Sequence, residues 1–138
     1  MGHYTELKCK IKLKKDTPED VMSLLKRVLI EKDLGHDEVL FHSEDVFKPN
    51  IDHDFFRCQR WYMLLLSTNW GDIEGGRMYE ESGYNVVDLH TEFKNYDGEL
   101  GKFLDWIYPF VLGRKKKQYI GWWQSEDMDE RVNIYIER

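Results

Sequence analysis

Cys9 and Cys58 are the only two cysteines in a chain of 138 residues, and neither sits in a C-x-x-C pair or a Cys/His ligand cluster. No zinc-binding spacing is therefore present; two cysteines permit one disulfide in principle, but a reduced, intracellular pair of buried thiols is the simpler reading. Long apolar runs are missing too, since stretches such as Trp61 to Leu66 fall far short of the ~20 residues that span a bilayer. No charged segment followed by an apolar stretch opens the chain, so a cytoplasmic protein with no membrane partner is expected. Positive charge is in deficit, 20 Lys and Arg against 26 Asp and Glu, and the net charge of -6 makes nucleic acid an unlikely partner. Neither a G-x-S-x-G elbow nor a Cys/His nucleophile arrangement occurs. Gly75-Gly76 lacks the strand-glycine-helix context of a phosphate loop and is surrounded by Asp72, Glu74, Glu80 and Glu81. No cofactor is implied.

What the chain has in surplus is aromatic side chains, 14% of residues, within a length that suits one α+β domain spanning 1–138. Glu6 to Lys14 alternates strictly, with Leu7, Cys9, Ile11 and Leu13 on one side and Lys8, Lys10, Lys12 and Lys14 on the other, which predicts a half-buried strand. Thr17-Pro18 then starts a helix carrying Val21, Leu24, Leu25, Val28 and Leu29 on one stripe, with Gly35 just past its end. Residues 36–60 lose periodicity and read as an irregular connection holding one short strand at most. Trp61 to Thr68 reads as a strand buried on both faces, and Gly71 to Gly83 as an acidic, turn-rich connection.

Asn85 to Lys94 alternates again and leads into a helix capped by Asp97, with Leu100, Phe103, Leu104, Ile107 and Val111 at helical spacing. Pro109 is expected to kink that helix and Gly113 to end it. Gln118 to Gln124 and Arg131 to Glu137 form a C-terminal hairpin across an acidic turn. The order strand, helix, strand, strand, helix, strand, strand matches a ferredoxin-like β-α-β-β-α-β sandwich with an extra C-terminal strand, two helices covering one face of an antiparallel sheet.

Four constellations bear on function. His36, His42, His53 and the acids among them could supply a metal site or an acid/base pair, with His42, His53 and Asp54 as candidate ligands, but solvated loop charges are the preferred reading, since no H-E-x-x-H or H-x-H spacing is present. The lysine row of the first strand would face Asp88, His90 and Glu92 of its neighbour and pair with them rather than with phosphate. Arg114 to Lys117 follows a helix C-terminus, where cations are expected for dipole reasons alone. The aromatics point furthest. Adjacent Trp122 and Trp123 must face opposite sides of a strand, so one leaves the helix-covered core. Trp106 and Tyr108 fall off the apolar stripe of their helix. Trp106, Tyr108, Trp122, Trp123 and Tyr135 are accordingly the candidate partner-binding residues, in a protein that docks a protein partner or self-associates as a homo-oligomer.

Lys94-Asn95-Tyr96-Asp97-Gly98-Glu99, Phe103-Leu104-Asp105-Trp106-Ile107, Gly121-Trp122 and Ile134-Tyr135-Ile136 together resemble small uncharacterised proteins encoded by bacteriophages and prophages. The likeness covers about the last third of the chain and carries no enzymatic motif or ligand. It implies a mobile-element origin and, by association, a non-catalytic protein that binds a host or defence protein. The alternative from the residues is a small metal-dependent or ligand-processing enzyme using the region 36–54.

Overall fold

The computed structural model describes residues 4–30, 49–68, 73–113 and 116–137. Its elements are β1 (Tyr4–Lys12), α1 (Glu19–Leu29), a 3-10 turn (Asp54–Arg57), α2 (Trp61–Leu66), β2 (Gly75–Glu81), β3 (Tyr84–Lys94), α3 (Glu99–Ile107), a second 3-10 turn (Tyr108–Phe110), β4 (Lys117–Ser125) and β5 (Val132–Glu137). The strands form one sheet in the order β2-β3-β1-β4-β5, every neighbouring pair antiparallel. Among the described residues it is an α+β architecture with three helices.

The alternation read in β1 and β3 holds. Leu7, Cys9 and Ile11 from β1, with Val87, Leu89 and Phe93 from β3, join Leu25, Leu64 and Phe103 of the helices in one apolar cluster, so the helices cover that face of the sheet. Burying each such side chain contributes on the order of 2 kcal/mol. β1 stops at Lys12, but Leu13 remains buried through a bridge to Val111, which ties the end of α3's turn to the centre of the sheet.

Several expected elements are different. Trp61 to Leu66 is helix, not strand: it lacks any β-branched residue, and Leu and Met favour helix. Trp61, Leu64 and Leu65 bury at i, i+3 and i+4, a pattern that a six-residue apolar run hides. The strand missing from that position is β2, inside the stretch read as a connection. Gly76 there belongs to packing: a Cβ on it would stand 1.8 Å from the Leu65 carbonyl oxygen and 2.7 Å from Leu29 Cδ2, so only glycine lets α2 lie this close to β2. Ser82 and Gly83, both at positive φ, make the two-residue hairpin turn into β3.

The helix starts also differ in detail. α3 begins after Gly98, whose left-handed φ of 71° turns the chain, and the cap comes from Asn95, whose Oδ1 accepts the Leu100 N–H at 3.0 Å. Asp97 is not the cap; its own N–H donates to Glu99 Oε1 at 2.8 Å, and that carboxylate in the first turn is favoured by the helix dipole. Pro109 does not kink α3, because the helix already ends at Ile107 and the proline sits in the 3-10 turn that follows. Thr17 likewise does not cap α1: its hydroxyl turns back to the Lys14 carbonyl. Gly35 and the residues from 36 to 48 lie outside the described residues.

Candidate functional site

The sheet face turned away from the helices is set by register. Lys8 stands between His90 of β3 and Trp122 of β4, and Lys10 stands opposite Asp88, which in turn faces Arg77 of β2. Lys8, Lys10, Arg77, His90, Tyr119 and Trp122 are among the residues lining a half-open hollow of about 470 Å³ on this face. Its charges are largely spent on one another. Lys10 and Lys12 reach Glu81 at 3.1 and 3.7 Å, rather than Asp88, His90 or Glu92 as the sequence suggested. Arg77 donates to Asp88 at 3.0 Å and lies 3.3 Å from Glu74; Tyr79 also donates to Asp88, at 3.1 Å. His90 Nε2 lies 2.6 Å from Glu6 Oε2. The hydrogen bond that Lys10 donates to Glu81 raises the Lys10 pKa and lowers that of Glu81, while the Asp88 charge raises Arg77.

Beneath this face, Cys9 is fully enclosed. Burial, then the Asp88 charge, pushes its thiol up to about 12. Cys58 is also free and buried, its pKa raised first by burial. Both thiols are expected to stay unlabelled by a maleimide at pH 8 in the native chain and to react fully in denaturant, with mass spectrometry counting the adducts. Fast native labelling of Cys9 would contradict this packing.

The aromatic candidates separate sharply. Trp106 is 3% exposed, enclosed by Phe55, Phe56, Phe103 and Phe110 at centroid distances of 5.9, 4.8, 6.2 and 6.1 Å. The expectation that it faces a partner is corrected: the turn Asp54–Arg57, unseen in the sequence, supplies the wall that covers it. Trp123 lies opposite Leu7 and packs against the core on the helix side. Trp122 is the tryptophan that leaves the core. It takes the open face, 9% exposed, because the Arg131 guanidinium lies 3.9 Å from its ring centroid as a cation-π lid.

Tyr135 remains outside, 42% exposed, opposite Tyr119 at 52%, their rings edge to face at 5.7 Å with Lys117 Nζ 4.6 Å from the Tyr135 ring. Tyr119 was not singled out from the sequence, for a definite reason. Simple alternation sends residues 119 and 122 to opposite faces, but a bulge between Tyr119 and Gly121 resets the register and brings both to the open face. Tyr108 is exposed as well and donates its hydroxyl to the Glu137 carbonyl at the end of β5.

The metal-ligand alternative does not assemble from the described residues. His53 caps the first 3-10 turn, its Nδ1 accepting the Phe55 N–H at 3.0 Å, and its Nε2 lies 2.9 Å from Asp105. Asp54 instead pairs with Arg57. His42 lies outside the described residues, and among those described no three His, Cys, Asp or Glu side chains stand together as a metal cage. Likewise no helix among them is long and apolar enough to cross a membrane. Of the basic run 114–117, Arg114 and Lys115 lie outside the described residues. Lys117 contacts Glu137 at 3.9 Å. Comparison with protein-family models, with curated proteins and with solved structures found no match.

Proposed function

We propose that this chain is a non-catalytic protein-binding module whose working surface is the β4–β5 hairpin. One observation carries the reading. Of the six large hydrophobic side chains exposed among the described residues, Tyr108, Tyr119, Val132 and Tyr135 gather on or beside that hairpin, leaving only Ile30 and Tyr96 elsewhere. Exposed tyrosines on a rigid strand supply contact area at low entropic cost, which is what interface anchors require. β5 is also an end of the sheet. The opposite end, β2, carries Arg77, Glu80 and Glu81, whereas β5 reads Val-Asn-Ile-Tyr-Ile-Glu with one charge at its tip. Charged edges resist added strands and apolar ones accept them.

A ferredoxin-like plan is part of the same proposal. The order β4-β1-β3-β2 within the sheet supports it, with β5 added outside β4 and α2 added to the usual two helices. The likeness of the C-terminal third to phage and prophage proteins, which includes Gly121-Trp122 and Ile134-Tyr135-Ile136, supports a mobile-element origin and a protein partner.

Hydrogen exchange tests the surface directly. Amides of β5 are expected to gain protection, either as the protein concentration rises or when a bacterial lysate is added, and Tyr119→Ala/Tyr135→Ala is expected to abolish the gain. Unchanged exchange in β5 under both conditions would sink the hairpin as a docking surface.

A further inference from the structure

The occupant of the β5 edge can be named from its own residues. Along β5, Ile134 and Ile136 point to the helix side and join the core. Asn133 faces Trp122, and Tyr135 faces Tyr119, on the open side. Arg131, lying over the Trp122 ring, is on the open side as well. The strand is therefore preceded by a cation, Arg131, and ends on an anion, Glu137, both on one face and both exposed. No proline interrupts it, and among the described residues no strand pairs with its outer edge. A sequence with opposite charges at its two ends is complementary to itself when run antiparallel.

We propose that β5 pairs antiparallel with β5 of a second copy, about a two-fold axis passing through Ile134, to continue the sheet across a dimer. This rests on the reading of the hairpin as a protein-docking surface. In that register Arg131 stands opposite Glu137 of the second copy, twice by symmetry, and Val132 stands opposite Ile136 on the helix side. Asn133 stands opposite Tyr135, so the tyrosine is flanked by a small polar neighbour rather than by its own copy. Shifting the axis to Asn133 sets Glu137 opposite Asp129, a like-charge pair, and shifting it to Tyr135 sets Glu137 opposite Asn133 rather than a cation. Only the Ile134 register pairs both charges and both apolar side chains, and an isologous contact of this kind closes on itself. The Val132 side chain, 39% exposed in one copy, is covered by it.

Charge reversal tests both partner and register. Analytical ultracentrifugation of the full chain from about 1 µM to 1 mM is expected to show a species of twice the 16.7 kDa chain mass. Arg131→Glu alone and Glu137→Arg alone each turn two attractions into repulsions and are expected to weaken the dimer about thirtyfold. Mixing the two singly reversed chains makes both cross-strand pairs attractive again, and is expected to restore a dimer containing one copy of each. A structural lesion in either variant cannot produce that rescue, and thermal melts of the separate variants check that both fold. A chain that stays monomeric throughout the range overturns the second copy as occupant, while β5 protection by lysate alone keeps the hairpin as a docking surface for another protein. A dimer indifferent to both reversals, or singly reversed chains that fail to pair on mixing, overturns the register.

Discussion

Trp106→Ala is expected to destabilise the chain by about 4 kcal/mol, the range found when a large aromatic is truncated in a closed core. For a domain of this size that lowers the melting midpoint by roughly 15 °C. The cost has two sources. Removing the indole takes away contacts with four phenylalanines, and it leaves a cavity between α3 and the 3-10 turn Asp54–Arg57 that neither element can readily fill. That turn has no strand or long helix of its own to hold it; it depends on Phe55, which is fully buried and touches Phe103, Trp106 and Trp61. Loss of Trp106 should therefore loosen residues 54–57 first, visible as faster hydrogen exchange there than in β1. Trp106→Phe is the informative companion. Among the described residues the buried Trp106 Nε1–H has no acceptor, an arrangement that costs on the order of 1 to 3 kcal/mol, so phenylalanine loses volume but removes that penalty. It is expected to cost about 1 kcal/mol. If Trp106→Ala melted within a few degrees of the parent, Trp106 would not be the centre of this cluster.

The position of Trp106 also shows where reading a sequence fails. Helical spacing placed Leu100, Phe103 and Ile107 in the core, and they are there. It put Trp106 outside because the stripe was drawn for a helix facing a sheet alone. α3 faces two neighbours, the sheet and the aromatic turn from 54 to 57, so its buried arc is wider than one stripe and takes in Trp106 and Glu99, while Leu104 lies only partly buried. A long-range neighbour cannot be read from local periodicity.

The strands divide in the same way. β1, β3 and β5 alternate because one face is core and the other is not, and period two is then visible. β2 was hidden because its glycines answer to the close approach of α2, not to a turn, and because its open face carries Arg77 and Glu81. A local signal did exist: Ser82-Gly83 between Glu81 and Tyr84 is a hairpin dipeptide. Of the candidate surface, Tyr108 and Tyr135 were legible as exposed, and the split of Trp122 from Trp123 followed from pleating. Tyr119 was not legible, since nothing in Tyr119-Ile120-Gly121-Trp122 announces a bulge without the partner strand in view.

That bulge makes Gly121→Ala the second large expected effect, about 3 kcal/mol and roughly 10 °C in the melting midpoint. A Cβ on Gly121 would lie 1.9 Å from the Lys8 carbonyl oxygen and 2.6 Å from Cys9 Cα. Both are backbone atoms of the central strand, so no side chain can swing away to relieve the overlap, and β4 must separate from β1 where Cys9 faces Gly121. The displaced segment is the one that seats Tyr119 and Trp122 on the open face. Besides melting early, the variant is expected to shift its tryptophan emission to the red as Trp122 loses the Arg131 lid and meets water, and to lose self-association along with stability. Gly101→Ala is the control: a Cβ there meets nothing within 4 Å on the exposed side of α3, and alanine in place of glycine inside a helix is expected to stabilise by about 0.7 kcal/mol. Opposite signs from two identical substitutions separate the close approach of β4 to β1 from any general intolerance of glycine replacement, and a Gly121→Ala chain as stable as its parent would mean that β4 does not meet β1 through this bulge.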